Sequence, residues 1–446
     1  MDQAEAARLE RLLNREIMAR FPAGTVRRVA LVREPEDPAL EPGELLVRVF
    51  AETPGGSLDD WAQAHPVGMR RLRRELSLRL PAARLLEFTA EGPDAERITL
   101  ADDPALATEP VPVAEAVLTM AGLIRTHYVF PDRGAAAAAA LEASLAAGEY
   151  DGLDDETLAG KLTDQLYEVC HDRHLRVRVR PSWEGPPGPR RPGPPGRPGR
   201  GGVPDRRPRP SWLERHGPGN YGIHRVERLD GDVGYLDLHG VADPEHGGRA
   251  ISAAMELVSG TGALIVDLRE NHGGSPDGVV FWLSYLFPDA ETHLNDIFDA
   301  GTGQTRQYWT LAHVPGDRYL DRPVYVLTSR QTFSGGEDFA YSLQAQGRAE
   351  VIGETTGGGA HPTEATPVTP TLAVLVPFAR SVNPVTGTNW EGTGVTPDIA
   401  VPADQAFGVA YGKALRHLLT LELPPPLLDE AREALAALAT VASPGE

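Results

Sequence analysis

Lysine is almost missing from this chain. Among 446 residues and 43 basic side chains, only Lys161 and Lys413 are lysines. Arginine keeps its proton in proteins, so it cannot serve as a general base. A mechanism built on a neutral lysine therefore has two candidates. Cysteine is scarcer still. Cys170 stands alone, which excludes an intramolecular disulfide and a thiolate metal cluster. No run approaches the roughly 18 apolar residues of a membrane-spanning helix. The opening MDQAEAARLERLLNREIMARF is amphipathic and charged and lacks the apolar centre of a signal peptide. A cytoplasmic location is the expectation from these absences. Positive charge is also short overall. The formal net charge of -20 repels nucleic acid and anionic membrane surfaces, so neither is an expected partner.

What is present supports sizeable cores, since 41% of the residues are apolar. Residues 1–105 read as a small α+β unit, with strand-like TVRRVALVRE, GELLVRVFAE and ARLLEFTAE around amphipathic helices. It carries no motif that assigns a role. Residues 112–180 read as a helical segment of three helices running into the alternating strand HLRVRVRP. Residues 181–220 are dominated by proline, glycine and arginine. No core can be built from them, so a disordered linker or flap is expected. Residues 221–402 alternate strands and helices, the pattern of a largely parallel sheet with crossover helices. Residues 403–446 read as two helices around a PPP turn.

In open α/β sheets, ligands bind beyond the carboxyl ends of the strands. Two expected strand ends carry unusual residues. GALIVDLRENHGG ends in Asn271, His272, Gly273 and Gly274, and PVYVLTSRQTFSGGE runs into Ser334. Ser334-x-x-Glu337 reads as a helix-starting capping box, and the same geometry suits a nucleophile. The helix dipole stabilises developing negative charge at that position. The N–H of Gly335 has no intrahelical partner, so it can point at an oxyanion with a second donor from Gly273 or Gly274. A serine needs a base. His174, in HDRHLRV, and His361, in GETTGGGAHP, are both candidates, and sequence alone does not choose between them. Glu391, in NWEGTGVTPDI, is placed to orient a histidine. Cys170, His171 and His174 lack a second ligand pair, so no metal centre is expected.

The segments DLRENHGG, TSRQTFSGGEDFAYSLQ, RAEVIGETTGGGAHP and EGTGVTPDI, in that order, resemble the tail-specific (C-terminal processing) serine peptidase family. They are most similar to its branch of interphotoreceptor retinoid-binding protein-like and tricorn-like members, and HYVFPDRG and DRHLRV resemble that branch's helical segment. The likeness covers roughly residues 112–402. It implies a ClpP/crotonase-like core of β-β-α units, a helical N-terminal subdomain and hydrolysis of peptide bonds in short peptides or unfolded proteins. It implies no metal or organic cofactor. Homo-oligomerisation stays open. The family's nucleophile position is Ser334. Processing members use a lysine about 25 residues later, but Gly357–Gly359 stand there, so that dyad is absent. Tricorn-type members use a histidine from the helical subdomain and a glutamate beyond the serine, positions that match His174 and Glu391. Arg173 stands where they carry a serine. No PDZ pattern is seen between His174 and Ser334. The likeness to retinoid-binding relatives also implies an alternative, a non-catalytic module binding retinoid- or fatty-acid-like ligands.

Overall fold

The computed structural model describes residues 110–180, 219–288 and 291–441, together with four strands and scattered positions among the first 105 residues. The expected flap, but for its last two residues, lies outside the described residues. The chain divides into two units. One is Met1–Gly199 with Ala300–Thr302 and Thr363–Phe378, and the other is Arg200–Asp299 with Gly303–Pro362 and Ala379–Glu446.

In the first unit, β1 (Val26–Arg33), β2 (Leu45–Ala51), β3 (Ala83–Thr89) and β4 (Arg97–Ala101) form one sheet in that order. β2 and β3 run parallel and the outer pairs antiparallel. Alternating Val47 and Val49 with Leu86 and Phe88 bury one face against Leu58, Trp61 and Leu72. The short β4 is an addition to the strands expected from sequence.

The same unit holds α1 (Val113–His127), α2 (Pro131–Ala146) and α3 (Asp155–Cys170). Their buried faces follow helical spacing. α3 buries Leu158, Leu162, Leu166 and Cys170, each four residues from the last. The alanine run of α2 and Gly134 let it approach α1 closely; a Cβ on Gly134 would come 2.9 Å from the Ile124 carbonyl. β5 (Arg176–Val179) pairs with β14 (Leu372–Pro377), which pairs with β13 (Thr363–Pro367), all antiparallel. The sequence pattern puts residues 363–378 inside the 221–402 core. They lie instead with the helices, because Leu372, Val374 and Val376 join Val177 in the helical core.

The second unit begins with β6 (Ile223–Leu229), β7 (Val233–Leu238), α4 (Pro244–Val258), β8 (Ala263–Asp267) and α5 (Pro276–Ser284). It continues with β9 (His293–Asp299), β10 (Gln304–Trp309), β11 (Val324–Thr328), α6 (Gly335–Ala345), β12 (Glu350–Gly353) and β15 (Ala379–Val382). β16 (Ile399–Ala400), α7 (Ala403–Leu418) and α8 (Pro425–Val441) complete it. Six strands form a sheet in the order β16-β12-β11-β8-β7-β6, parallel except for the edge strand β6. β8 and β11 are buried along their whole length, as strands covered on both faces must be. Leu264, Val266 and Val326 face the layer containing Met255 of α4, Val280 of α5 and Phe339 of α6. Ile265 and Leu327 face Ala410 and Ala414 of α7. β10, β9 and β15 make a separate antiparallel sheet. The expected α/β fold is therefore present. No helix among the described residues is long and apolar enough to cross a membrane.

Candidate active site

The loops leaving the carboxyl ends of β8 and β11 are tied to each other. The Thr332 hydroxyl donates to the Leu268 carbonyl at 2.7 Å, and the Phe333 N–H donates to the Asn271 carbonyl at 2.9 Å. Asn271 is fully buried. Its amide donates to the Leu238 carbonyl at 2.8 Å, and its Oδ1 accepts the Gly273 N–H at 2.9 Å. One residue, through its side chain and its backbone carbonyl, thus joins β7, the 271–274 turn and the loop before α6.

Ser334 sits at the start of α6 with φ 54° and ψ −121°. That conformation is costly for a residue with a Cβ, and such strain concentrates at functional sites. The glycines expected around it are in place. A Cβ on Gly273 would lie 2.7 Å from the Ser334 Cβ, and one on Gly335 would lie 2.9 Å from the Gly274 nitrogen. Only glycine allows the two backbones to meet this closely. The Gly273 N–H is committed to Asn271. Among the described residues, the N–H groups of Gly274 and Gly335 donate no hydrogen bond.

Glu337 is the acid of the capping box, and it does more than cap. It is fully buried. It accepts from the Ser334 N–H at 2.8 Å, from the Thr356 hydroxyl, and from the Gly358 and Gly359 N–H groups at 2.6 and 2.8 Å. Burial pushes its carboxyl above the usual range while these four donors pull it back down. The carboxylate therefore fastens the 356–361 loop to the serine turn. The second brace is the 389–394 turn. The Trp390 indole donates to the Gly359 carbonyl at 2.7 Å, and Glu391 Oε2 accepts the Ala360 N–H at 2.6 Å. The same Oε2 lies 3.3 Å from His361 Nδ1, and His361 is buried. Ser334, Gly273, Gly274, Gly335, Glu391 and His361 are all parts of the second unit.

His174 belongs to the first unit. It is buried in the turn between α3 and β5, with its backbone N–H donating to Asp172 Oδ1 at 2.9 Å. Asp172 Oδ2 in turn accepts the Tyr128 hydroxyl at 3.0 Å. Burial, with Asp172 next in effect, drives that phenol well above its ordinary range, so it stays a donor. The anchoring by Asn271 and Glu337 is not apparent from sequence. The Ser-x-x-Glu spacing flags Glu337, but the four donors converge from segments far apart in the chain.

Residues 232–401 match the model of peptidase family S41, and residues 111–198 match the N-terminal domain of peptidase S41 in eukaryotic IRBP. Over 180 residues the chain is 28% identical to the carboxy-terminal-processing protease of Bartonella bacilliformis, covering 39% of this chain and 40% of that protein. The chain thus spans about two-fifths of the length of that curated relative. Among solved structures, it is similar to a photosystem II D1 C-terminal processing protease (24% identity, TM-score 0.32, 39% of this chain and 43% of that one). A lipoprotein from Streptococcus agalactiae aligns at 12% identity and TM-score 0.45, over 68% of this chain and 97% of that one. The tricorn protease aligns at 13% identity and TM-score 0.42, over 77% of this chain and 39% of that one.

Proposed function

From a chain that carries a peptidase family S41 domain and the IRBP-type N-terminal domain, we propose a serine-type peptidase that hydrolyses peptide bonds in short or unfolded polypeptides. The observation that carries this reading is the strained Ser334 at the head of α6, beside two uncommitted backbone donors. In the proposed reaction, Ser334 Oγ attacks the scissile carbonyl carbon. The negative charge moves to the carbonyl oxygen, which the Gly335 and Gly274 N–H groups and the α6 dipole stabilise. An imidazole takes the Oγ proton and returns it to the leaving amine, and water then hydrolyses the acyl-enzyme by the reverse sequence.

His174 is the proposed base. Family likeness supports it, and the Asp172–Tyr128 pair fixes its turn. Glu391 is proposed to steady the site's protonated imidazole. A second reading puts His361 in the base role. The 3.3 Å contact with Glu391 favours it, because a carboxylate on Nδ1 leaves Nε2 for the serine proton. Turnover of an unfolded protein substrate by His174→Ala and His361→Ala decides between them. The first reading expects the His174 variant to lose activity by several orders of magnitude while the His361 variant keeps much of it. The reverse order supports the second, and undiminished turnover in both removes histidine from the mechanism.

A further inference from the structure

We infer that His224, Asp237 and His239 form a binding site for a divalent transition-metal ion, next to the 271–274 turn, whose His272 N–H donates to the His239 carbonyl at 3.2 Å. The three lie on the hairpin of β6 and β7 in the second unit. Asp237 lies in β7, and His239 follows directly after the strand's last residue, Leu238. The register slips between Ile223 and Arg225. Such a bulge re-aims a side chain, and here it brings the His224 ring onto the His239 ring. The imidazoles stack with centroids 4.3 Å apart and planes 9° from parallel. His239 Nε2 lies 3.2 Å from Asp237 Oδ1. One ligand atom from each of the three residues lies within 4.8 Å of the other two.

Ligand atoms around a tetrahedral ion with bonds of about 2.0–2.1 Å stand roughly 3.3 Å apart. The stacked rings must rotate apart to aim both in-plane nitrogen lone pairs at one ion, and the exposed His224 and half-buried His239 have room at the surface to do so. Two imidazoles and one carboxylate are a borderline donor set that suits zinc and its neighbours, whereas calcium and magnesium prefer oxygen-only shells. Three protein ligands leave a further position open. A pocket of about 500 Å³ borders both histidines and supplies room there for water or an added ligand. Gly219, Asn220 and Gly222 of its other wall belong to an unusual stretch. Gly219, Asn220, Tyr221 and Gly222 run consecutively in the left-handed region, with φ of 76, 48, 59 and 82°. Two of those residues carry side chains, and strain of this kind gathers at ligand clamps. The spacing 224–237–239 has no motif in sequence, because only the hairpin bulge unites it.

The test uses the full chain with zinc or cobalt(II) as the probe. Equilibrium dialysis is expected to find one tightly held zinc per chain, unaffected by excess magnesium or calcium. Cobalt is expected to give visible d–d bands of a low-coordinate nitrogen–oxygen site. His239→Ala and Asp237→Asn are each expected to abolish stoichiometric binding and those bands, with an unchanged circular dichroism spectrum. Zinc retained at full stoichiometry by both folded variants would overturn the assignment. So would zinc-free wild-type protein after dialysis, or equal competition by calcium. If His239→Ala fails to fold, Asp237→Asn and His224→Gln answer the same question by the same two readouts.

Discussion

Glu337 shows how one buried side chain can set a whole site. Its two oxygens receive four donors from the serine turn and the 356–359 loop, and glutamine has only one accepting oxygen for them. Glu337→Gln is expected to lose about 3 kcal/mol or more in urea unfolding, since hydrogen bonds to a buried charge are worth roughly 1.5–3 kcal/mol each. Unchanged stability would mean that the loop is held elsewhere. Ser334→Ala keeps those anchors. It is expected to unfold like the wild type yet lose turnover on the order of 10⁶-fold. Gly273→Ala places a Cβ 2.7 Å from the Ser334 Cβ, so turnover should fall sharply; a fully active variant would contradict the close approach. At this scale the sequence is partly legible. Ser334, Gly335 and the two glycines announce themselves because helix starts and tight turns leave local signatures. The Glu391–His361 contact does not, because it joins residues thirty apart across two loops.

Among elements, α6 carries the most revealing charge. Asp338 is buried next to Glu337, accepting from Asn295 on β9 at 3.1 Å and from Ser342 at 3.0 Å. Burial raises its carboxyl to about 6, with those two hydrogen bonds pulling it back. An unfolded aspartate titrates near 3.9, so folding favours the protonated form. The stability this confers is complete below about pH 4 and is lost as pH rises through about 6. Wild-type protein should therefore gain stability relative to Asp338→Asn as pH falls from about 7 to about 4, measured by urea unfolding at each pH. A difference that stays flat across that window would refute the shift. In α3, Leu162 is fully buried, and Leu162→Ala is expected to cost about 2–5 kcal/mol. The helices and the fully buried β8 and β11 are readable because their apolar periods are strong. β6, β9 and β10 are not, since polar residues interrupt the apolar alternation of each strand. β13 and β14 are misplaced by a sequence reading because strand pairing with β5, far away in the chain, decides their unit.

At the scale of the whole molecule, the family match and the site geometry rest on separate grounds. The S41 model covers residues 232–401 and the IRBP-type domain residues 111–198, which leaves the β1–β4 sheet outside both. That sheet has a core of its own, from Leu13 and Ile17 to Phe88. Removing residues 1–105 is accordingly expected to leave chemistry at Ser334 unchanged, read as the rate of covalent labelling; a lost rate would make the sheet part of the working enzyme. The central claim, that Ser334 is a nucleophile, is tested most directly by a fluorophosphonate probe followed by peptide mass spectrometry. One adduct per chain is expected, on Ser334, and none on folded Ser334→Ala protein. A folded wild-type chain that takes no adduct, or takes it on another serine, would contradict it.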